Sequence, residues 1–152
     1  METAGIYARA IPYLERYVQF GQAGEKVIRL SFPDAPDPEA GEDHPLLDRI
    51  EAYCDGDREE FRDVEVGLTV PTDQRAVLEA VREIPYGEQA SVEQVARMSA
   101  GLDATDDDAL VTVRAALADN PVPLVIPDHR VRDGPSAAPP AVEQRLRSIE
   151  GL

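Results

Sequence analysis

Three adjacent side chains, Asp128, His129 and Arg130, bring a carboxylate, a titratable imidazole and a permanent cation to one point of the chain. An imidazole beside a carboxylate can move protons near neutral pH. A carboxylate can also attack an electrophile and form an ester that water cleaves, or ligate a metal. Asp128 therefore allows three readings: nucleophile, metal ligand, or a brace that accepts backbone N–H bonds in a turn. The last is favoured, because aspartate commonly caps turns this way.

The trio ends the stretch Asn120-Pro-Val-Pro-Leu-Val-Ile-Pro127. Pro121, Pro123 and Pro127 exclude a helix interior or a central sheet ladder. The spacing predicts that Leu124-Val125-Ile126 is a short buried run that delivers the polar trio at a turn, where functional groups concentrate.

The elements around this stretch follow from periodicity. Apolar residues Ile6, Tyr7, Ala10, Tyr13, Leu14, Tyr17 and Val18 predict a helix over residues 4–20, bent or delayed by Pro12. Tyr17 to Phe32 predicts a hairpin around Gly21 and Gly24, and Pro33 to Glu42 is a proline- and acid-rich loop. A second helix runs from His44 to Tyr53, with His44 as a helix-start residue, and Glu65 to Val70 predicts a short strand. Thr72 predicts the N-cap of a helix through Glu83 with Val77, Leu78, Val81 and Ile84 inward. Ser91 and Gln94 form a capping box for a helix through Met98. A further helix spans about Asp107 to Asp119 with Leu110, Val113 and Leu117 inward, and the last runs from Pro139 or Pro140 to Glu150.

The chain has 152 residues and a formal net charge of −15, and Lys26 is its only lysine. This length holds one domain or two small ones. Such an acidic composition opposes phosphate binding at ordinary salt. It also suits a salt-loving cell, where molar salt screens self-repulsion over about 3 Å, with an acidic mesophile protein as the alternative. The acidic start Met-Glu-Thr-Ala and the lack of long apolar runs predict a cytoplasmic protein with no membrane partner. Cys54, the only cysteine, lies among carboxylates that raise a thiol pKa, which makes it a poor nucleophile.

Two motifs then narrow the reading. Ile84-Pro85-Tyr86-Gly87-Glu88, followed by Pro127-Asp128-His129-Arg130-Val131, resembles the O6-alkylguanine-DNA alkyltransferases, whose signature is Pro-Cys-His-Arg-Val. The resemblance covers most of residues 71–152, with a weaker likeness of the hairpin to the family's N-terminal sheet domain. It implies an α/β fold: a small N-terminal ribonuclease H-like sheet domain over residues 1–70, then a helical, winged-helix-like C-terminal domain over residues 71–152. The two helices from Ser91 to Asp119 would be its helix-turn-helix.

In that family the cysteine is activated through the next histidine and a glutamate. The resemblance assigns those positions to His129 and Glu150, and the cysteine position to Asp128. Asn120 matches the asparagine that braces the recognition helix, and Arg130 the structural arginine. The alternative is that Asn120, His129, Arg130 and Glu150 only hold the fold together by hydrogen bonds. Val111 stands where the family has the arginine that replaces a flipped nucleotide, with Arg114 one turn on. Val92 replaces the phosphate-rotating tyrosine, and Tyr86 belongs to the retained motif. The loop after Val131 is short, and Asp103, Asp106, Asp107 and Asp108 crowd the start of the recognition helix.

The resemblance thus implies a non-catalytic alkyltransferase-like protein that binds double-stranded DNA carrying alkylated guanine and signals to a repair protein, without cofactor or metal. The alternatives are a repurposed scaffold for protein interaction or regulation, and an Asp128-dependent dealkylating hydrolase. Arg82, Arg97, Arg114, Arg130 and Arg132 gathered on one face would favour DNA, and scattered arginines the scaffold.

Overall fold

The computed structural model describes residues 4–152, so the Met-Glu-Thr start read above lies outside the described residues. The described residues form a mixed α/β fold with a three-stranded antiparallel sheet and five α-helices. Strands β1 (Ala4–Ile11), β2 (Arg16–Ala23) and β3 (Lys26–Ser31) pair in the order β1-β2-β3. The helices are α1 (Pro45–Cys54), α2 (Thr72–Val81), α3 (Val92–Met98), α4 (Asp107–Ala118) and α5 (Pro140–Glu150).

The first predicted helix is a hairpin instead. Residues 4–11 and 16–23 are strands paired from Ala4↔Ala23 to Ile11↔Arg16. Pro12 opens a single 3-10 turn, and Glu15, at φ 55°, reverses the chain. Residues two apart, Tyr7, Arg9 and Ile11, pair with Phe20, Val18 and Arg16 along the hairpin, and tertiary pairing overrides the helical spacing. The β2–β3 hairpin turns at Gly24, with φ 61°, a conformation glycine adopts without a Cβ clash. Gly21 lies inside β2, at a register shift.

Both sheet edges are covered. Gly41 exchanges hydrogen bonds with β1 through Ala8 N–H (2.8 Å) and Ile6 C=O (2.9 Å). The predicted strand over 65–70 forms only one bridge, Val66 to Val27, with Val27 N–H on Glu65 C=O and Gly67 N–H on Val27 C=O. Such coverage satisfies backbone groups that would otherwise template pairing with another chain.

The helical half follows its local signals more closely. Ser91 and Gln94 form the capping box of α3. Asp106 caps α4 by accepting from Asp108 N–H, and Asp103 accepts from Thr105 N–H. These aspartates therefore serve the helix start, where orphan N–H groups and the helix dipole favour negative charge. Helix α2 begins at Thr72 itself, with Pro71 as N-cap and no side-chain capping bond. His44 caps α1, its Nδ1 accepting from Leu46 N–H at 3.0 Å. One continuous hydrophobic core runs from Ile11 and Phe20, through Leu47, Ile50 and Phe61, to Val113, Leu117 and Leu146.

Candidate functional site

The buried run Leu124-Val125-Ile126 is not a strand. Leu124 adopts φ 79°, and Ile126 N–H closes back on Val122 C=O at 2.9 Å. A non-glycine residue in this region stores about 1–3 kcal/mol, held in place by its surroundings. One of those restraints is Asn120, at the end of α4. Its Nδ2 donates to Ile126 C=O at 3.0 Å and to Asp128 Oδ2 at 3.1 Å, while its Oδ1 accepts from Val122 N–H at 3.0 Å. The loop and the polar trio are thus tied to α4 by one side chain.

Residues 128–130 form a 3-10 turn, and all three are buried, Asp128 and His129 fully. Asp128 faces neutral donors. Its Oδ1 accepts from Ser136 Oγ–H at 2.6 Å, and its Oδ2 accepts from Ala137 N–H at 2.9 Å as well as from Asn120. Burial raises its pKa above the ordinary aspartate value, and the Ser136, Ala137, His129 and Asn120 contacts only oppose that rise.

His129 and Arg130 turn to the other carboxylate. His129 Nε2 lies 2.6 Å from Glu150 Oε2, and Arg130 donates to Glu150 through Nε at 2.8 Å and a second guanidinium nitrogen at 3.1 Å. Gly87 N–H adds a bond of 2.9 Å to Glu150 Oε1, and Tyr53 O–H donates to Oε2. Burial disfavours the Glu150 anion, but His129, Arg130 and the Gly87 N–H outweigh it and hold the carboxyl down to about 2. Glu150 takes the Nε2–H of His129, and His129 Nδ1 is buried without a hydrogen-bond partner among the described residues.

Tyr53 and Ser136 are functional neighbours that sequence reasoning missed. Tyr53, on α1, is fully buried against Glu150 and 3.4 Å from His129 Nε2, so the N-terminal half of the chain reaches the site. Only the fold makes this pairing, across 97 residues. Burial, followed by Glu150, keeps the phenol protonated by raising its pKa. Arg147 also donates to His129 C=O at 2.8 Å, and Arg130 lies 5.8 Å from the Tyr86 ring centroid. Cys54 is buried on α1, and burial, with Asp55 and Glu51, pushes its thiol up to about 12.

The structure therefore brings Asn120, Asp128, His129, Arg130, Glu150 and Tyr86 together. It sets Val111 and Arg114 apart on the exposed side of α4, Val111 at 63% exposure. Val92 is in the core at 1% exposure, with its N–H on Asp133 Oδ1 at 2.7 Å. Of the five arginines weighed as a DNA patch, Arg130 is buried and Arg82 is spent on the Phe61 and Val64 carbonyls at 2.8 and 2.9 Å. Arg97, Arg114 and Arg132 are exposed, with Arg97 paired to Glu93.

Residues 72–140 match the family model described as 6-O-methylguanine DNA methyltransferase, DNA binding domain. The chain is 38% identical over 88 residues to a methylated-DNA–protein-cysteine methyltransferase of Methanopyrus kandleri, covering 58% of this chain and 62% of that protein. Both matches are to proteins of the O6-methylguanine DNA methyltransferase superfamily. A second member of that superfamily, from Haemophilus influenzae, is 27% identical over 117 residues, covering 71% of this chain and 63% of its own length. The chain thus spans less than two thirds of the curated relatives it matches first. The fold is that of Mycobacterium tuberculosis O6-methylguanine methyltransferase, with TM-score 0.73 and 24% identity over 97% of this chain and 91% of that one. A structure of that organism's OGT in complex with DNA superposes with TM-score 0.72.

Proposed function

We propose that this chain is a DNA-binding member of the superfamily that does not transfer alkyl groups, and that it recognises alkylated guanine in duplex DNA and marks it for a repair protein. The observation that carries the first part is the state of Asp128: both carboxylate oxygens are already engaged by Asn120, Ser136 and Ala137. A nucleophile needs a free lone pair aimed at its electrophile. Asp128 is instead a buried brace, which also weighs against an ester-forming hydrolase. The match of residues 72–140 to a DNA-binding domain supports DNA as the partner, with α3 and α4 as the contacting elements.

On this reading residues 71–152 are the working domain and residues 1–70 a supporting one that supplies Tyr53. His129, Glu150, Arg130 and Asn120 hold the turn, and Val111, Arg114 and Tyr86 lie nearest the DNA. The low lysine content and the charge of −15 suit a cytoplasm rich in salt, where the protein would work. The test is fluorescence anisotropy with matched duplexes, with and without O6-methylguanine, at low salt and in molar potassium chloride. Tighter binding to the lesion, with no methyl group gained by the protein's mass, is the expected result. Binding to neither duplex at either salt overturns it.

A second reading, a protein-interaction scaffold without DNA binding, is favoured by one specific observation. Asp103, Asp106, Asp107 and Asp108 all stand exposed around the start of α4, where they would repel phosphate. Absence of DNA binding in the same assay selects it.

A further inference from the structure

The segment after the polar turn, residues 132–138, crosses back over Asp128 and is pinned at several points. Arg132 N–H bonds Ala90 C=O at 2.9 Å, and Asp133 accepts from Val92 N–H at the start of α3. Gly134 then passes so close to the helices that an added Cβ would lie 2.6 Å from Leu117 Cδ1 and 3.1 Å from Val92 Cγ2. Ser136 bridges the segment to the turn: it donates to Asp128 Oδ1 and accepts from Ala138 N–H at 3.0 Å. Ala137 N–H completes the clasp on Asp128 Oδ2. The segment itself is only partly covered, with Asp133 and Pro135 exposed, whereas the carboxylate beneath is fully buried.

We propose that residues 132–138 are a strap that Asp128 latches over its own turn, so that a ligand reaches the turn only after the strap lifts. The inference rests on the DNA-damage reading only in naming an extrahelical base as that ligand. The latch is an autoinhibitory contact made by the residue at the superfamily's cysteine position. Its hold on Asp128 itself comes from two bonds, at 2.6 and 2.9 Å, to a carboxylate that forms no ion pair among the described residues. Bonds to a charged acceptor are the stronger kind, yet they are few, and no apolar side chain of the strap beyond Ala138 is deeply buried. Lifting it uncovers Val92 and Leu117, on which Gly134 is seated, so packing adds to the hold of the latch.

The latch is tested on the full chain by carbodiimide-driven coupling of glycine ethyl ester to carboxylates, read residue by residue by mass spectrometry. Asp128 should stay unlabelled while exposed Asp133 reacts. In Ser136→Ala, Asp128 should react about tenfold faster or more, and the Ala137 amide should exchange faster to a similar degree, because a bond to a charged group is lost. Gly134→Ala lifts the strap from its other side without touching a hydrogen-bonding side chain, and should act in the same direction. Asp128 labelled in the unaltered chain as fast as Asp133, or labelled no faster in either variant, overturns the latch. Neither readout uses DNA, so a failure of duplex binding removes the base as ligand and leaves the latch standing on its own result.

Discussion

Two buried carboxylates, Glu150 and Asp128, lie at the ends of one hydrogen-bonded turn and behave in opposite ways. Glu150 meets a guanidinium, an imidazole, a phenol and a backbone N–H, and its pKa falls to about 2. Asp128 meets an amide, a hydroxyl and a backbone N–H, and its pKa rises. Glu150 accepts five hydrogen bonds and Asp128 three. What separates them is that His129 and Arg130 both donate directly to Glu150, whereas among the described residues no cation donates to Asp128. The comparison teaches that Glu150 is a charged keystone, whereas Asp128 is close to exchangeable with a neutral group of the same shape.

The largest expected effect is at Glu150. Glu150→Ala leaves Arg130 buried and unpaired and should destabilise the fold by about 3–5 kcal/mol, measured by urea denaturation. Glu150→Gln should come close to it, because the amide keeps the shape and loses the charge. The loss has a defined pH range. A carboxyl lowered from 4.5 to about 2 contributes stability that is complete above the unfolded value and disappears as pH falls from about 4.5 towards 2. The difference between wild type and Glu150→Gln should therefore shrink across that window; a constant difference down to pH 2 would break the comparison.

Tyr53→Phe is the next step down. It removes one donor from Glu150 but keeps the ring against Phe61 and Tyr86, where the centroids lie 5.8 and 6.0 Å away. A loss of about 1.5–3 kcal/mol is expected, as for a single hydrogen bond to a charged group. Double-mutant cycles with Glu150→Gln should show coupling, since the two changes share one bond.

These residues also mark what the sequence made legible. The capping box at Ser91, the helix-start role of His44 and the inward faces of α2 and α4 are local, encoded within one turn of chain, and the structure has them. The trio 128–130 was visible as chemistry because its residues are adjacent. The first hairpin was not legible, because Ile6, Tyr7, Ala10, Tyr13 and Leu14 fit a helical stripe as well as a strand, and only pairing with β2 decides. Tyr53 reads as one more apolar position on α1, and nothing in its neighbours announces a carboxylate 97 residues away. Asp128's role depended on donors from Ser136 and Ala137, which a loop brings back from eight and nine residues on. Non-local partners are set by topology, and residue spacing carries no record of them.

The smallest effect sharpens the comparison most. In Asp128→Asn the side-chain oxygen can still accept from Asn120 Nδ2 and Ala137 N–H, and the new amide can donate to Ser136 Oγ. A hydroxyl can reverse its role, because it carries one donor and two acceptor sites. The lost bond strength is offset by no longer burying a charge without a cation. Asp128→Asn should therefore shift stability at neutral pH by less than about 1 kcal/mol. Its pH dependence should differ in sign from that of Glu150. A raised folded pKa means that wild type gains stability as pH falls through that pKa, relative to the variant that cannot titrate. Burial sets this shift, the Ser136, Ala137, His129 and Asn120 contacts oppose it, and Glu143 on α5 is the other carboxyl that feels Asp128. If Asp128→Asn instead loses several kcal/mol at neutral pH and the loss fades in acid, Asp128 is a second charged keystone. The contrast drawn from Arg130 would then be wrong.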